Sequence, residues 1–116
     1  MAKSPEIKTF EDFWPYYLGE HRLVVCRAWH YVGSSIGLLS ILALVVTLNP
    51  WWLLVGLIAG YGCAWIGHFF FEHNRPATFD YPWWSFIADY KMYGLALRGK
   101  MKEELSRQLG RGSKTE

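Results

Sequence analysis

No Asp, Glu, Lys or Arg occurs between Ala28 and Phe71, a run of 44 residues in a chain of 116. A membrane-crossing helix takes about 20 apolar residues, so a run of this length accommodates two helices and a tight turn. Asn49-Pro50 marks that turn. The pattern predicts a helical hairpin, its transmembrane spans at about 29–48 and 51–72, with the first helix already under way from near Leu23. Gly33, Ser34, Ser35 and Gly37 offer a small-residue face on the first span, and Gly56, Ala59, Gly60, Gly62, Ala64 and Gly67 offer one on the second. Small residues let membrane helices approach closely, so the spans are expected to pack along these faces.

The flanks read as amphipathic helices. Thr9-Phe10-Glu11-Asp12 resembles a capping box, and Phe10, Phe13, Trp14, Tyr17 and Leu18 follow at the spacing of one helical face. This predicts a helix over about 9–19 lying on the membrane surface, kinked or restarted at Pro15. Gly19-Glu20-His21-Arg22 reads as a break. Arg75-Pro76 stops the second span at about Asn74, and Pro82 opens an interfacial helix over about 82–98. Its expected apolar face is Trp83, Phe86, Ile87, Tyr90, Tyr93 and Leu97. Beyond Lys100 the chain is charged, and 110–116 reads as a disordered tail. The expectation is thus one all-α membrane domain over 1–116, an integral helical hairpin with interfacial helices before and after it.

Composition sharpens this picture. A net charge of +2 is too small to suggest nucleic acid, whereas an aromatic content of 18% suits membrane interfaces. Cys26 and Cys63 lack CxxC spacing and read as free thiols. The acidic N-terminal segment, with Glu6, Glu11, Asp12 and Glu20, is unlike a signal peptide, so both spans are expected to be retained. All 12 Lys and Arg residues fall outside the uncharged run and none falls in the turn. That bias places both termini in the cytoplasm, whether the membrane is a bacterial inner membrane or the endoplasmic reticulum.

Candidate chemistry lies with the histidines. His30 is 19 residues before Asn49 and His68 is 18 after Pro50, so the hairpin brings the two rings to nearly the same depth. Polar groups at membrane depth are costly, and neutral imidazole is a common ligand of iron, zinc and copper. On an ideal helix His68 and His73 point about 140° apart, whereas His68 and Glu72 share a face. His21 and His30 would face opposite ways on one straight helix, so His21 must enter through the break. The best ligand set is His21, His30 and His68. Glu72 and His73 stand as candidate fourth or supporting groups, and Asp89 as a group that could orient an imidazole. Arg22, Arg27 and Arg75 read as headgroup anchors, one of which could clamp a lipid carboxylate. No GxSxG, P-loop or GxGxxG element is present. Two other readings compete: a haem or zinc protein with His30 and His68 as ligands from facing helices, and a non-enzymatic membrane adaptor.

The segments Tyr17-Leu18-Gly19-Glu20-His21, His30-Tyr31-Val32-Gly33 and Gly67-His68-Phe69-Phe70-Phe71-Glu72-His73-Asn74-Arg75-Pro76-Ala77 resemble the Mpo1-like membrane family. The resemblance covers roughly residues 10 to 95. It implies an Fe(II)-dependent dioxygenase of fatty acid alpha-oxidation that cleaves 2-hydroxy fatty acids to acids one carbon shorter. It also implies that His21, His30 and His68 hold the iron, with a fatty acid and O2 as substrates and Arg22 or Arg75 near the substrate carboxylate. The chain is shorter than the eukaryotic relatives, so the resemblance further implies a homodimer as one way to complete a lipid groove.

Overall fold

The computed structural model describes residues 6–110, so all of the tail expected at 110–116 except Gly110 lies outside the described residues. Every element among the described residues is helical. In order they are α1 (Phe10–Gly19), α2 (Val24–Thr47), α3 (Trp51–Ile66) and a π-helical turn (Gly67–Glu72) continuing α3. A 3-10 turn (Ala77–Phe79), α4 (Pro82–Leu97) and α5 (Met101–Leu109) follow.

The uncharged run becomes the predicted hairpin. Helix α2 ends at Leu48, which adopts a left-handed conformation while its amide donates to the Leu44 carbonyl. The Asn49 side chain then accepts from the Trp51 amide at 3.0 Å, capping α3. Val24–Thr47 and Trp51–Glu72, at 24 and 22 residues, are both long and apolar enough to cross a membrane. Leu42, Val45, Val46 and Ile58 face outward along them, the distribution expected of helices solvated by lipid.

The two helices lie very close. A Cβ placed on Gly33 would sit 2.8 Å from the Gly60 carbonyl oxygen, and one on Gly67 would sit 3.1 Å from the Cys26 carbonyl oxygen. Only glycine permits this approach at either position. Gly62 departs from the expected packing face, being exposed with open space around it.

On the terminal side the structure corrects two expectations. Thr9 does cap α1 through the Asp12 amide, and the helix continues unbroken through Pro15. Its apolar face does not lie on a membrane surface, however. Phe13, Trp14, Tyr17 and Leu18 are buried in a protein core with Ala88, Met92 and Leu95 of α4 and Met101 and Leu105 of α5. An amphipathic pattern specifies an apolar partner but not which one, and here α4 and α5 supply it. Helix α5 itself falls where a charged stretch was expected. It is anchored by the Trp14 indole, which donates to Glu104 at 2.7 Å within the core. Of the expected apolar face of α4, Trp83, Phe86, Ile87 and Leu97 point outward, with Trp83 80% and Leu97 72% exposed, whereas Tyr90 and Tyr93 turn towards α2. Tyr93 meets Ser35 of α2 at 2.7 Å.

Candidate metal centre

Three segments converge just inside the terminal end of the hairpin. His21 sits in the turn between α1 and α2, His30 two turns into α2, and His68 in the π-helical turn after α3. All three are buried, and one ligand atom from each lies within 4.8 Å of the others. The His21 Nε2 stands 3.0 Å from the His30 Nε2 and 2.9 Å from the His68 Nε2.

The outer nitrogens settle which ring atoms carry protons. The His21 Nδ1 faces the Tyr17 carbonyl at 2.6 Å, and the His30 Nδ1 faces the Cys26 carbonyl at 2.9 Å. A carbonyl oxygen can only accept, so both Nδ1 atoms bear hydrogen. The His68 Nδ1 faces the Asn74 side-chain oxygen at 2.6 Å, while the Asn74 amide nitrogen donates to the Glu20 carbonyl at 3.0 Å. That second bond fixes the orientation of the Asn74 amide and makes its oxygen the acceptor. In neutral rings, therefore, all three Nε2 atoms turn unprotonated lone pairs towards one another. Burial, reinforced by the neighbouring His30 and His68 rings, pushes the His21 pKa well below its usual value and keeps that ring neutral. Three lone pairs gathered this way, the His21 Nε2 about 3 Å from each of the other two, repel one another unless a cation lies among them. Metal–nitrogen bonds of about 2.0–2.1 Å bridge that spacing. The cluster can hold a metal ion, with each ligand oriented by an outer hydrogen bond.

The sequence profile of the family described as 2-hydroxy-palmitic acid dioxygenase Mpo1-like matches residues 7–101. The chain belongs to the Mpo1-like family. No curated protein and no solved structure matches it. The family description points to a dioxygenase acting on a lipid, in keeping with the apolar hairpin and the histidine cluster.

The other candidates fall elsewhere in this Mpo1-like chain. Glu72 accepts from the Leu23 amide at the start of α2, so its carboxylate caps that helix and stands apart from the cluster. The unpaired backbone N–H groups at the start of α2 claim the carboxylate, an interaction that the spacing of Glu72 from His68 does not announce. His73 is exposed in a left-handed conformation at the end of the same turn. Asp89 of α4 does line the small cavity beside the histidines. It reaches His21 at one remove: the Tyr17 hydroxyl donates to Asp89, and the Tyr17 ring stacks on the His21 ring at 4.0 Å. Burial pushes the Asp89 pKa up to about 7 against the pull of that hydrogen bond.

Neither candidate carboxylate clamp lines that cavity. Arg75 is held by Asp80 through two bonds of 3.0 and 3.1 Å and lies over the Phe79 ring. The Arg22 Nε donates to the Gly19 carbonyl at 3.2 Å. Arg27 is no headgroup anchor. It is buried, and its Nη1 donates to the carbonyls of His21 and Arg22 at 2.8 Å each. It therefore ties the loop that carries His21 to the first turn of α2. Asn74 is a supporting residue that the sequence did not single out, and Arg27 is one that it assigned to a different role. A polar amide six residues past His68, just beyond the helix end, was the available signal for Asn74. A haem held between His30 and His68 is not accommodated, because their ring centroids are only 4.9 Å apart and His21 packs against both at 4.4 Å.

Proposed function

We propose that the chain is an Fe(II)-dependent membrane dioxygenase that cleaves 2-hydroxy fatty acids between carbons 1 and 2. The observation that carries this reading is the convergence of three oriented, unprotonated Nε2 atoms in a chain of the Mpo1-like family. One 2-hydroxy acid and one O2 give the acid shortened by one carbon, CO2 and water, which balances atoms and electrons without a separate reductant. His21, His30 and His68 would hold the iron, and the chemistry it would supply is binding of the substrate and activation of O2.

The residues of the chain prepare this chemistry. The Tyr17, Cys26 and Asn74 acceptors hold the three rings in the ligand tautomer. The Tyr17 ring covers His21 and keeps water from that side, and Asp89 fixes the Tyr17 hydroxyl. Both termini, and the site near them, face the cytoplasm in this reading.

The test is metal analysis of detergent-purified protein together with O2 uptake. One iron per chain, lost in His68→Ala, with O2 consumed only when Fe(II) and 2-hydroxypalmitate are both present, is the expected result. Zinc in place of iron, a Soret band, or O2 uptake unchanged in His30→Ala and His68→Ala would sink it.

A further inference from the structure

Two cavities meet at the histidines. The smaller is walled by Tyr17, His21, His68, Thr78 and Ser85, the larger runs between α2, α3 and α4, and both share His30, Ala64 and Asp89. The larger encloses about 60 Å3 and is open along one side, so a chain lying in it is only partly enclosed. This cleft exists because glycines stand where side chains would fill it. A Cβ on Gly37 would meet only the Tyr90 hydroxyl, at 2.8 Å, and one on Gly60 only the Gly33 carbonyl oxygen, at 3.6 Å. From His30 to Gly37 is seven residues of α2, so the cleft extends about 10 Å from the histidines towards the hairpin turn.

The smaller cavity contains an unsatisfied group. Ser85 is 2% exposed, and its hydroxyl is the one buried side-chain polar atom among the described residues with no hydrogen-bond partner. Buried hydroxyls are nearly always paired, and a helical serine can usually bond back to its own helix. An orphaned hydroxyl beside three converging imidazoles marks a place for a polar ligand atom. The apolar cleft leading away from the same point suits a single hydrocarbon chain.

We infer that one fatty acyl molecule occupies both cavities, its polar head taking a hydrogen bond from Ser85 beside the histidines and its tail lying in the glycine cleft towards Gly37. The inference rests on the proposed dioxygenase reading for the identity of the head group, but the cleft and the serine stand on their own geometry. It makes Ser85 a substrate-binding residue and Gly37 a determinant of chain length. A short 2-hydroxy acid ends before Gly37, whereas a long one must pass it.

The experiment compares 2-hydroxyhexanoate with 2-hydroxypalmitate on the Fe(II)-loaded chain, alongside photolabelling of the metal-free chain by 2-hydroxypalmitate carrying a mid-chain diazirine. Gly37→Leu is expected to lose tenfold or more in kcat/KM for the long acid relative to the short one. Gly62→Leu, which faces open space on the same hairpin, is expected to leave that ratio unchanged. Ser85→Ala is expected to raise KM for both acids with iron content intact. Photolabel is expected on Tyr61 or Tyr90, the half-buried cleft walls, and to fall in Gly37→Leu. Should Gly37→Leu misfold, Gly60→Leu, whose Cβ has ordinary contacts, repeats the test. Label confined to outward residues such as Leu42 and Val46, or equal loss for both chain lengths, would overturn the inference. If no variant or parent consumes O2 but the cleft is labelled, the dioxygenase reading fails while the acyl site stands.

Discussion

The Asn74 side chain accepts from the His68 ring at 2.6 Å and donates to the Glu20 carbonyl at 3.0 Å, so one amide joins the π-helical turn to the loop that carries His21. Asn74→Leu removes the acceptor while keeping similar bulk. Metal affinity is expected to fall about 10- to 100-fold, as for other residues that orient a ligand imidazole. Asn74→Asp, which retains an acceptor for the ring, is expected to keep most of it. Chelator competition on purified protein measures both.

Arg27 holds the same loop from the other side by donating to the His21 and Arg22 carbonyls. Arg27→Met is expected to lower metal content by leaving two buried carbonyls short of a donor and freeing His21 to move. Helix content by circular dichroism should remain close to that of the parent, because the hairpin does not depend on this contact. Unchanged metal content in Arg27→Met would contradict the role assigned to it.

The depth of His30 and His68 was legible from the sequence because helical rise is a constant and the Asn49-Pro50 turn gave a common origin. His21 was legible because the Gly19–Arg22 break freed it from the phase of α2. Glu72 was misplaced because its partner, the Leu23 amide, is 49 residues away in the chain and no spacing within one helix announces it. The partner of α1 was misread because lipid and protein present the same apolar surface to Phe13 and Tyr17. The stripe Met101, Leu105 and Leu109, which makes α5 a helix, was obscured by the charged residues between its members. Arg75 is claimed by an acid five residues away in a loop, a pairing that no periodic pattern announces.

Helix α5 is fastened to α1 where the Trp14 indole donates to Glu104. Glu104→Ala leaves a buried N–H without its acceptor and is expected to cost about 1–3 kcal/mol of stability. Thermal unfolding in detergent should register the loss. Metal content should not change, since neither residue touches the histidine cluster.

The close approach at Gly67 predicts a different failure. A Cβ there would meet the Cys26 carbonyl oxygen at 3.1 Å and the Cys26 Cα at 3.3 Å, backbone atoms that cannot swing aside. Gly67→Val is expected to force α3 from α2 and separate His68 from His30, lowering metal affinity at least tenfold by chelator competition. Gly62→Val on the exposed side should be silent in the same assay.

Asp89 predicts a pH dependence. Its ordinary pKa of 3.8 rises to about 7 on burial, so the folded protein prefers the protonated carboxyl. That contribution to stability is fully present below about pH 4 and is lost as pH rises through 7. A shift of this size corresponds to about 4 kcal/mol. In chelator-treated protein, Asp89→Asn is expected to flatten the decline in unfolding temperature between pH 5 and pH 8. An equally steep decline in the variant would assign the slope to another group.

His21 and His68 are 47 residues apart in the chain, and everything between them is the hairpin. An ion shared by the two rings would close that whole segment into a loop, acting as a reversible cross-link across the base of the membrane helices. Closing so long a loop lowers the entropy of the unfolded chain, so metal binding and helix association become one equilibrium. Depriving the protein of metal should therefore loosen the packing of α2 on α3 at the terminal end of the hairpin.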